Sequence, residues 1–318
     1  MPELPEVHTT TTQIRKELVG TTITDVWSDI HVDATHRTDT LKSERFYRTF
    51  KRAVIGAAIT NATRRGKNIL IELTNDRTIL IHMKMTGHVM YGRYTKTKDL
   101  QSAKRVPENW RGEKWVPVAE KDSPLWDPYN RFIHLVFSLS NDKHLVLSDV
   151  RKFAKITLLP TSTIDTVSDI SALGPDPFDL SPKTFRDRIR RKQSGRIKTV
   201  LMDQSVLAGV GNIYSDEALW MSSIHPETDV QKLSDLQLTK LHQSLKKVMA
   251  RAIETGGDSD SDYRNIYGEK GQYQNFHQVY RKKDAPCSRR GCSGIIKRIV
   301  VGGRSAHFCP VCQKTANT

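Results

Sequence analysis

Cysteine is scarce in this chain: among 318 residues there are four, all beyond residue 286. A disulfide framework spread through the fold is thereby excluded. No apolar run approaches the roughly 18 residues needed to cross a bilayer. The amino terminus lacks the charged stretch and following apolar stretch of a signal peptide. Both absences point to an intracellular protein, where paired thiols bind metal rather than form disulfides. No segment repeats at a solenoid period. Acidic residues are also short, 35 against 50 Lys and Arg, for a net charge of +15. Such an excess attracts polyanions through long-range fields and counterion release, and by itself it suits nucleic acid, acidic lipid or a ribosome. It gathers in two runs, however: Arg186, Arg188, Arg190, Arg191, Lys192, Arg196 and Lys198, then Arg281 to Lys283, Arg289, Arg290, Lys297, Arg298 and Arg304. Two basic runs flanking a helical region favour a nucleic-acid track over an evenly solvated surface.

Length suggests roughly two or three domains. Thr9 to Leu18 has helical character and stops at Gly20. Strand-like runs follow at 23–27, 69–73, 78–82, 132–137 and 143–147, with Asn75-Asp76 and Asn141-Asp142 as turns. They predict a β-sandwich or flattened barrel over 1–160. Within it, 92–128 is a polar, Pro-rich insertion whose three Trp residues (110, 115 and 126) argue against plain disorder. A linker over 161–177 leads to helices at 181–192, 197–202, 212–222 and 234–254. Ser234 caps the last of these and Gly256-Gly257 end it. The region 178–257 reads as helix–two turns–helix, and 258–318 as a tail module. The fold class is α+β multidomain: an N-terminal β-sandwich with a flanking helix, a helix–two-turns–helix domain and a C-terminal metal-binding β-hairpin.

The four cysteines stand as Cys287-x4-Cys292, sixteen residues, then Cys309-x2-Cys312. Two thiolate pairs at short spacing close a tetrahedral S4 zinc site, which folds the hairpin rather than catalyses. Gly209-Val210-Gly211-Asn212 opens a helix and suits close backbone approach or an anion at the first N–H groups. Gly66-Lys67 precedes a strand. Met85 and Phe153 are ordinary core types, yet Arg151-Lys152-Phe153 at a strand end also suits a wedge between bases.

The chain starts Met1-Pro2-Glu3-Leu4-Pro5-Glu6. A small second residue favours removal of Met1, leaving Pro2 with a secondary amine. An α-amino group has a reference pKa of about 7.7–8.0, so part of it is neutral near pH 7. That amine can attack an electrophilic carbon and form an iminium, with Glu3 and Glu6 in reach for proton transfer. Alone, such a start is an exposed terminus.

Taken together, these motifs resemble the formamidopyrimidine-DNA glycosylase/endonuclease VIII family. Five occur in family order: the Pro2–Val7 start, Arg65-Gly66-Lys67, Met85-Thr86-Gly87, Gly209–Tyr214 and the zinc-type hairpin. The resemblance implies a two-domain clamp on damaged double-stranded DNA, a monomer, with one structural zinc and no catalytic metal or organic cofactor. Pro2 would attack C1′ of an extruded nucleotide, Glu3 would move protons, and Glu6 is a candidate shuttle. Lys67, grouped with the catalytic set, would hold phosphate, as would Asn212 and Arg304. Lys198 and Arg131 are further expected DNA contacts. Met85, Arg151 and Phe153 would fill the space left by the extruded base. Two eliminations would follow base loss.

Leu4, the Arg151–Phe153 wedge and the 256–280 segment resemble the formamidopyrimidine/8-oxoguanine branch, where that segment covers the extruded purine. The alternatives are an oxidised-pyrimidine glycosylase and a non-catalytic damaged-DNA binder. Three features depart from the branch: the length of the insertion, Asn130-Arg131 in place of the commoner His-Asp, and the four-residue first cysteine spacing. A bacterial member would work in the cytoplasm at the nucleoid.

Overall fold

The computed structural model describes residues 1–30, 39–97 and 114–314. They form two compact units: Met1–Pro2, Glu6–Val167 and Gly256–Gly271 in the first, and Glu3–Pro5, Ser168–Thr255 and Gln272–Thr318 in the second. The expected tail module 258–318 is therefore divided after Gly271. Packing is the reason: Ile266 is buried in the core of the first unit, whereas Tyr273 joins the helical core of the second.

The elements of the first unit begin with helix α1 (Leu4–Leu18), whose opening residues count with the second unit. They continue through β1 (Ile23–Ser28), α2 (Glu44–Val54), β2 (Ile59–Arg65), β3 (Asn68–Leu73), β4 (Arg77–His82) and β5 (His88–Gly92). β6 (Tyr94–Thr97), β7 (Lys114–Pro117), β8 (Ile133–Leu139), β9 (His144–Ser148) and β10 (Lys155–Pro160) complete it. Two antiparallel sheets, ordered β1-β8-β9-β5 and β10-β4-β3-β2, share one apolar core, as the sandwich reading expects. Val26, Phe137 and Leu147 from one sheet meet Ile71, Ile81 and Ile156 from the other, with Val7 and Ile14 of α1 closing the layer.

Helix α2 was absent from the sequence reading. Ser43 caps it by accepting from Phe46 N, and its apolar strip is narrow: Phe46, Phe50 and Val54, four residues apart among basic side chains. Strands β2, β5 and β10 were also absent. β2 reads Ile-Thr-Asn-Ala-Thr-Arg-Arg and becomes a strand through its pairing with β3.

The β1-β8-β9-β5 sheet is buried on both faces. Met90, Ile133, Val136 and Val146 on its second face form a smaller core with Tyr94, Trp115 and Leu125 of the insertion and with Trp27 of β1. The described part of the insertion is thus ordered: the β6–β7 pair and two 3-10 turns over Pro124–Trp126 and Pro128–Arg131. Trp110 lies outside the described residues.

The second unit contains α3 (Ser168–Ser171), α4 (Pro182–Arg190), α5 (Ile197–Met202), α6 (Asn212–Ser222), α7 (Asp235–Glu254) and the hairpin β11 (Lys297–Val301) and β12 (Arg304–Phe308). Ser181 caps α4, and Ser234 forms a reciprocal capping box with Gln237 at α7. Among the described residues no helix is long and apolar enough to cross a membrane.

Candidate functional site

Within the second unit, the residue after Pro2 is seated on the Gly209–Asn212 turn. Leu4 N donates to Gly209 O at 3.0 Å, and Ile213 N donates to Glu3 Oε1 at 3.0 Å. Glu3 is only 3% exposed. A Cβ at Gly211 would lie 2.3 Å from Glu3 Cδ, and one at Gly209 (φ +89) would lie 2.6 Å from Leu4 Cβ. The two glycines therefore admit the N-terminal residues; their close approach serves this chain's own carboxylate, which lies at the N-terminus of α6, where a negative charge is favoured. The Asn212 side chain, at the same helix start, hydrogen-bonds Tyr280, whose hydroxyl is pushed up mainly by burial.

Lys198 corrects an expectation. Read as a DNA contact, it is completely buried, with Nζ 2.5 Å from Asp216 Oδ1 and 3.1 Å from both Asn212 O and Ser215 Oγ. Three acceptors match the three donors of an ammonium, so none faces a phosphate. Asp216 Oδ2 in turn accepts from His307 N and pairs with His307 Nδ1, both at 3.0 Å, which ties β12 to α6.

Most of the first basic run, though half-buried or exposed, is engaged by the protein's own carbonyls and carboxylates. Arg188 donates to Ser205 O and Val206 O, Arg190 to Leu233 O, and Arg196 to Glu227 O, while Lys192 pairs with Asp203. These cations close turns, so the track expected at 186–198 is reduced. In the second run, Arg281, Lys282, Lys283, Arg290, Lys297, Arg298 and Arg304 are exposed.

In the first unit, Pro2 is buried and Met1 exposed. Gly66-Lys67 form the two-residue turn between β2 and β3, with Gly66 at φ +57 supplying the left-handed position of a type II′ hairpin. Lys67 is 6% exposed. Met85 and Phe153, by contrast, are about half exposed. Asp149, fully buried, joins their loops: one carboxylate oxygen accepts from Thr86 Oγ1 and Arg151 N, the other from Ala154 N. The Arg151 guanidinium lies 4.9 Å from the Phe153 ring centroid. Two exposed apolar side chains thus stand on loops tied to one buried carboxylate.

Glu6, expected as a shuttle, is buried with Oε1 accepting from Asp258 N at 2.8 Å, so it anchors the start of the 256–271 segment. Arg131 is partly exposed, its guanidinium 4.9 Å from the Phe132 ring centroid. Its neighbour Asn130 is buried, holding Pro124 O, Gly268 O and His88 Nε2.

The four cysteine Sγ atoms lie within 4.8 Å of one another. The separations Cys287–Cys312, Cys292–Cys309 and Cys292–Cys312 are 3.8, 3.6 and 3.1 Å, close to or inside the edge of about 3.8 Å of a tetrahedron with Zn–S near 2.3 Å. Trp220 Nε1 donates to Cys287 Sγ at 3.4 Å, the outer hydrogen bond of a thiolate site. The donor set fits zinc and is closed by four sulfurs. Arg304 follows the Gly302-Gly303 turn (φ +56 and +74) at the hairpin tip.

Comparison with known proteins agrees with this arrangement. Residues 1–156 match the formamidopyrimidine-DNA glycosylase N-terminal domain, 173–264 its H2TH domain, and 285–315 a zinc finger found in FPG and IleRS. The chain is 33% identical to the formamidopyrimidine-DNA glycosylase of Pelotomaculum thermopropionicum over 99% of both chains. It is 35% identical to that of Herpetosiphon aurantiacus over 98% of this chain and all of the other. The chain belongs to the formamidopyrimidine-DNA glycosylase family. Among solved structures, it resembles Lactococcus lactis Fpg in complex with abasic-site DNA, with TM-score 0.77 and 31% identity over 98% of this chain and 100% of that one. It also resembles MutM in complex with carbocyclic 8-oxo-G DNA, with TM-score 0.76 and 30% identity over 99% and 100%.

The reading of the sequence as a member of this glycosylase family missed Asp149, Asp216 and Glu217. Glu217 is buried and accepts from Gln278 N, Val279 N and Tyr280 N. Burial raises its pKa against those three bonds. An acid inside the apolar pattern of α6 was the signal available: a buried carboxylate needs donors, so it marks a junction.

Proposed function

We infer that the chain is a bifunctional DNA glycosylase and lyase of base-excision repair that removes oxidised purines from duplex DNA. The seating of Glu3 on the Gly209–Asn212 turn carries the reading. It fixes the residue bonded to Pro2 through a hydrogen bond to its carboxylate and one from the backbone N–H of the next residue, Leu4, as positioning catalysis requires. Relatives solved with Fapy-dG and carbocyclic 8-oxo-G DNA support the lesion class.

Once Met1 is removed, the neutral Pro2 nitrogen attacks C1′ of an extruded nucleotide. The bond from C1′ to the base breaks, and the base leaves with a proton taken from solvent water. The amine proton passes by way of Glu3 to O4′ as C1′–O4′ opens, leaving an iminium. The iminium acidifies C2′–H; loss of that proton expels the 3′ phosphate, and a second elimination expels the 5′ phosphate. Lys67, Asn212 and Arg304 hold phosphates, and Arg131 is a further contact. Met85, Arg151 and Phe153 fill the space in the stack, since a base inside a duplex is out of reach. Zinc, held by Cys287, Cys292, Cys309 and Cys312, folds the hairpin that presents Arg304. A cytoplasmic, nucleoid-associated site of action accompanies this reading, supported by the bacterial origin of the relatives.

Borohydride trapping on an 8-oxoguanine duplex tests the reading. A covalent adduct is expected, mostly lost in Pro2→Gly and absent from protein that retains Met1. Unchanged trapping in Pro2→Gly overturns the nucleophile. Binding without nicking of abasic DNA points to a non-catalytic binder, and faster processing of thymine glycol points to an oxidised-pyrimidine enzyme.

A further inference from the structure

The reaction leaves the insertion unexplained, and its contacts give it a task. We propose that its returning limb together with the turn that follows it, residues 123–131, braces the Gly256–Gly271 segment and thereby sets which damaged base is accepted. The second half of the proposal rests on the purine-glycosylase reading, in which that segment covers the extruded base.

Arg264 is the central contact. It is 1% exposed, and its Nη1 donates to Ser261 O at 3.0 Å and Tyr263 O at 2.7 Å, which shapes the segment's own backbone. Its charge is met by the 123–131 stretch: Nη2 lies 3.0 Å from Asp127 Oδ2, and the guanidinium lies 5.0 Å from the Tyr129 ring centroid. A buried guanidinium deprived of its carboxylate is strongly unfavourable, so the segment keeps this fold only while Asp127 faces it.

Asn130 makes the second contact, donating from Nδ2 to Pro124 O at 2.9 Å and Gly268 O at 3.3 Å. A Cβ at Gly268 (φ +82) would lie 2.8 Å from both Asn130 Nδ2 and Pro124 O, so the two stretches of backbone meet there without room for a side chain. The limb has a firm base, because Leu125 and Trp115 pack into the core on the second face of the β1-β8-β9-β5 sheet. Asn130 stands at a departure from the family pattern, just after the insertion, and here it ties Pro124 of the insertion to Gly268 of the segment.

Hydrogen exchange of the full-length zinc-bound protein without DNA tests the brace, with Asp127→Asn as the variant. Asparagine keeps the oxygen that caps Tyr129 N and removes the charge that faces Arg264. Amides in 256–271 are expected to exchange at least about tenfold faster, with β3 and β4 unchanged. The excision ratio of 8-oxoguanine to dihydrouracil should fall about threefold or more, while nicking of a preformed abasic site stays within about twofold. Tyr129→Leu, at a side chain 40% exposed, should give the same pattern at smaller amplitude, and it serves as the test if Asp127→Asn fails to fold. Retained protection in 256–271 overturns the brace, and faster exchange with an unchanged lesion ratio overturns its link to selectivity. Wild-type protein that fails to nick abasic DNA counts against the glycosylase reading alone, since the exchange measurement uses no DNA.

Discussion

Lys198 and Asp216 form a fully buried ion pair, Nζ to Oδ1 2.5 Å, in which neither side chain is exposed. Burial pushes the Lys198 ammonium down, and Asp216 opposes that shift. Asp216 also holds His307 of β12, so the pair links the start of α6 to the zinc hairpin. Lys198→Met should destabilise the protein by about 3–5 kcal/mol, because it strips a buried carboxylate of its ammonium and leaves Oδ1 without that donor. Urea unfolding measures that loss. In protein that remains folded, the salt dependence of duplex binding should keep its wild-type slope. Arg304→Ala should do the reverse: stability unchanged and the slope reduced by about 1. A reduced slope in Lys198→Met would return it to the phosphate contacts.

Gly211→Ala tests the seating of Glu3. The added methyl meets Glu3 Cδ at 2.3 Å, so the carboxylate must move. Displacement by about 1 Å at a reacting group costs on the order of a hundredfold. The expected result is a loss of that size in the rate of borohydride trapping, with duplex affinity within about threefold of wild type. Wild-type trapping rates would show that Glu3 need not sit on this turn.

Asp149→Ala removes the acceptor shared by the Met85 and Arg151–Phe153 loops. Three orphaned donors imply a stability loss of about 2–4 kcal/mol. Excision from a fully paired duplex should fall by about tenfold or more, while cleavage of a single-stranded abasic site, which needs no wedge, changes about twofold or less. Equal losses on both substrates would reduce Asp149 to a general stabiliser.

His88 sets an acid limit on stability. Asn130 gives both amide donors elsewhere, so its oxygen accepts from His88 Nε2, and burial of the ring favours its neutral form. Burial lowers its pKa from 6.5 to about 4. Between those values the unfolded chain binds the proton and the folded chain does not. The contribution of about 3 kcal/mol is therefore complete above about pH 6.5 and is lost as pH falls toward 4. Urea midpoints at pH 7 and pH 4.5 should differ less in His88→Gln than in wild type.

Zinc removal should unfold the β11–β12 hairpin, since the metal supplies its folding energy. Metal analysis should find about one zinc per chain. Chelation should lower duplex affinity by about tenfold or more, with exchange in β3 and β4 unchanged. A hairpin that keeps its protection after metal loss would contradict this.

The elements legible in the sequence are those whose signal is local. Helices α5 and α6 end where their patterns predict, and Ser181 and Ser234 cap α4 and α7 through their own side chains. The cysteine spacing specifies its S4 cluster because two knuckles bring four sulfurs together with little help from elsewhere. Strands β2 and β10 and helix α2 were missed because their apolar content is modest and a partner across the sheet or core completes it.

By itself the sequence determined the nucleophile candidate, the metal ligands, the excess positive charge and the order of motifs, since each depends on residue type and spacing along the chain. Tertiary structure decided what those residues face. It buried Lys198 and tied most of the rest of the first basic run to carbonyls and carboxylates of the same chain. It also made the Gly209 and Gly211 turn a seat for Leu4 and Glu3, and joined Asp127 to Arg264 across 137 positions of chain. A cation on a surface and a cation in a core have the same letter; burial and the partner within hydrogen-bonding distance separate them, and both arise only when distant segments pack.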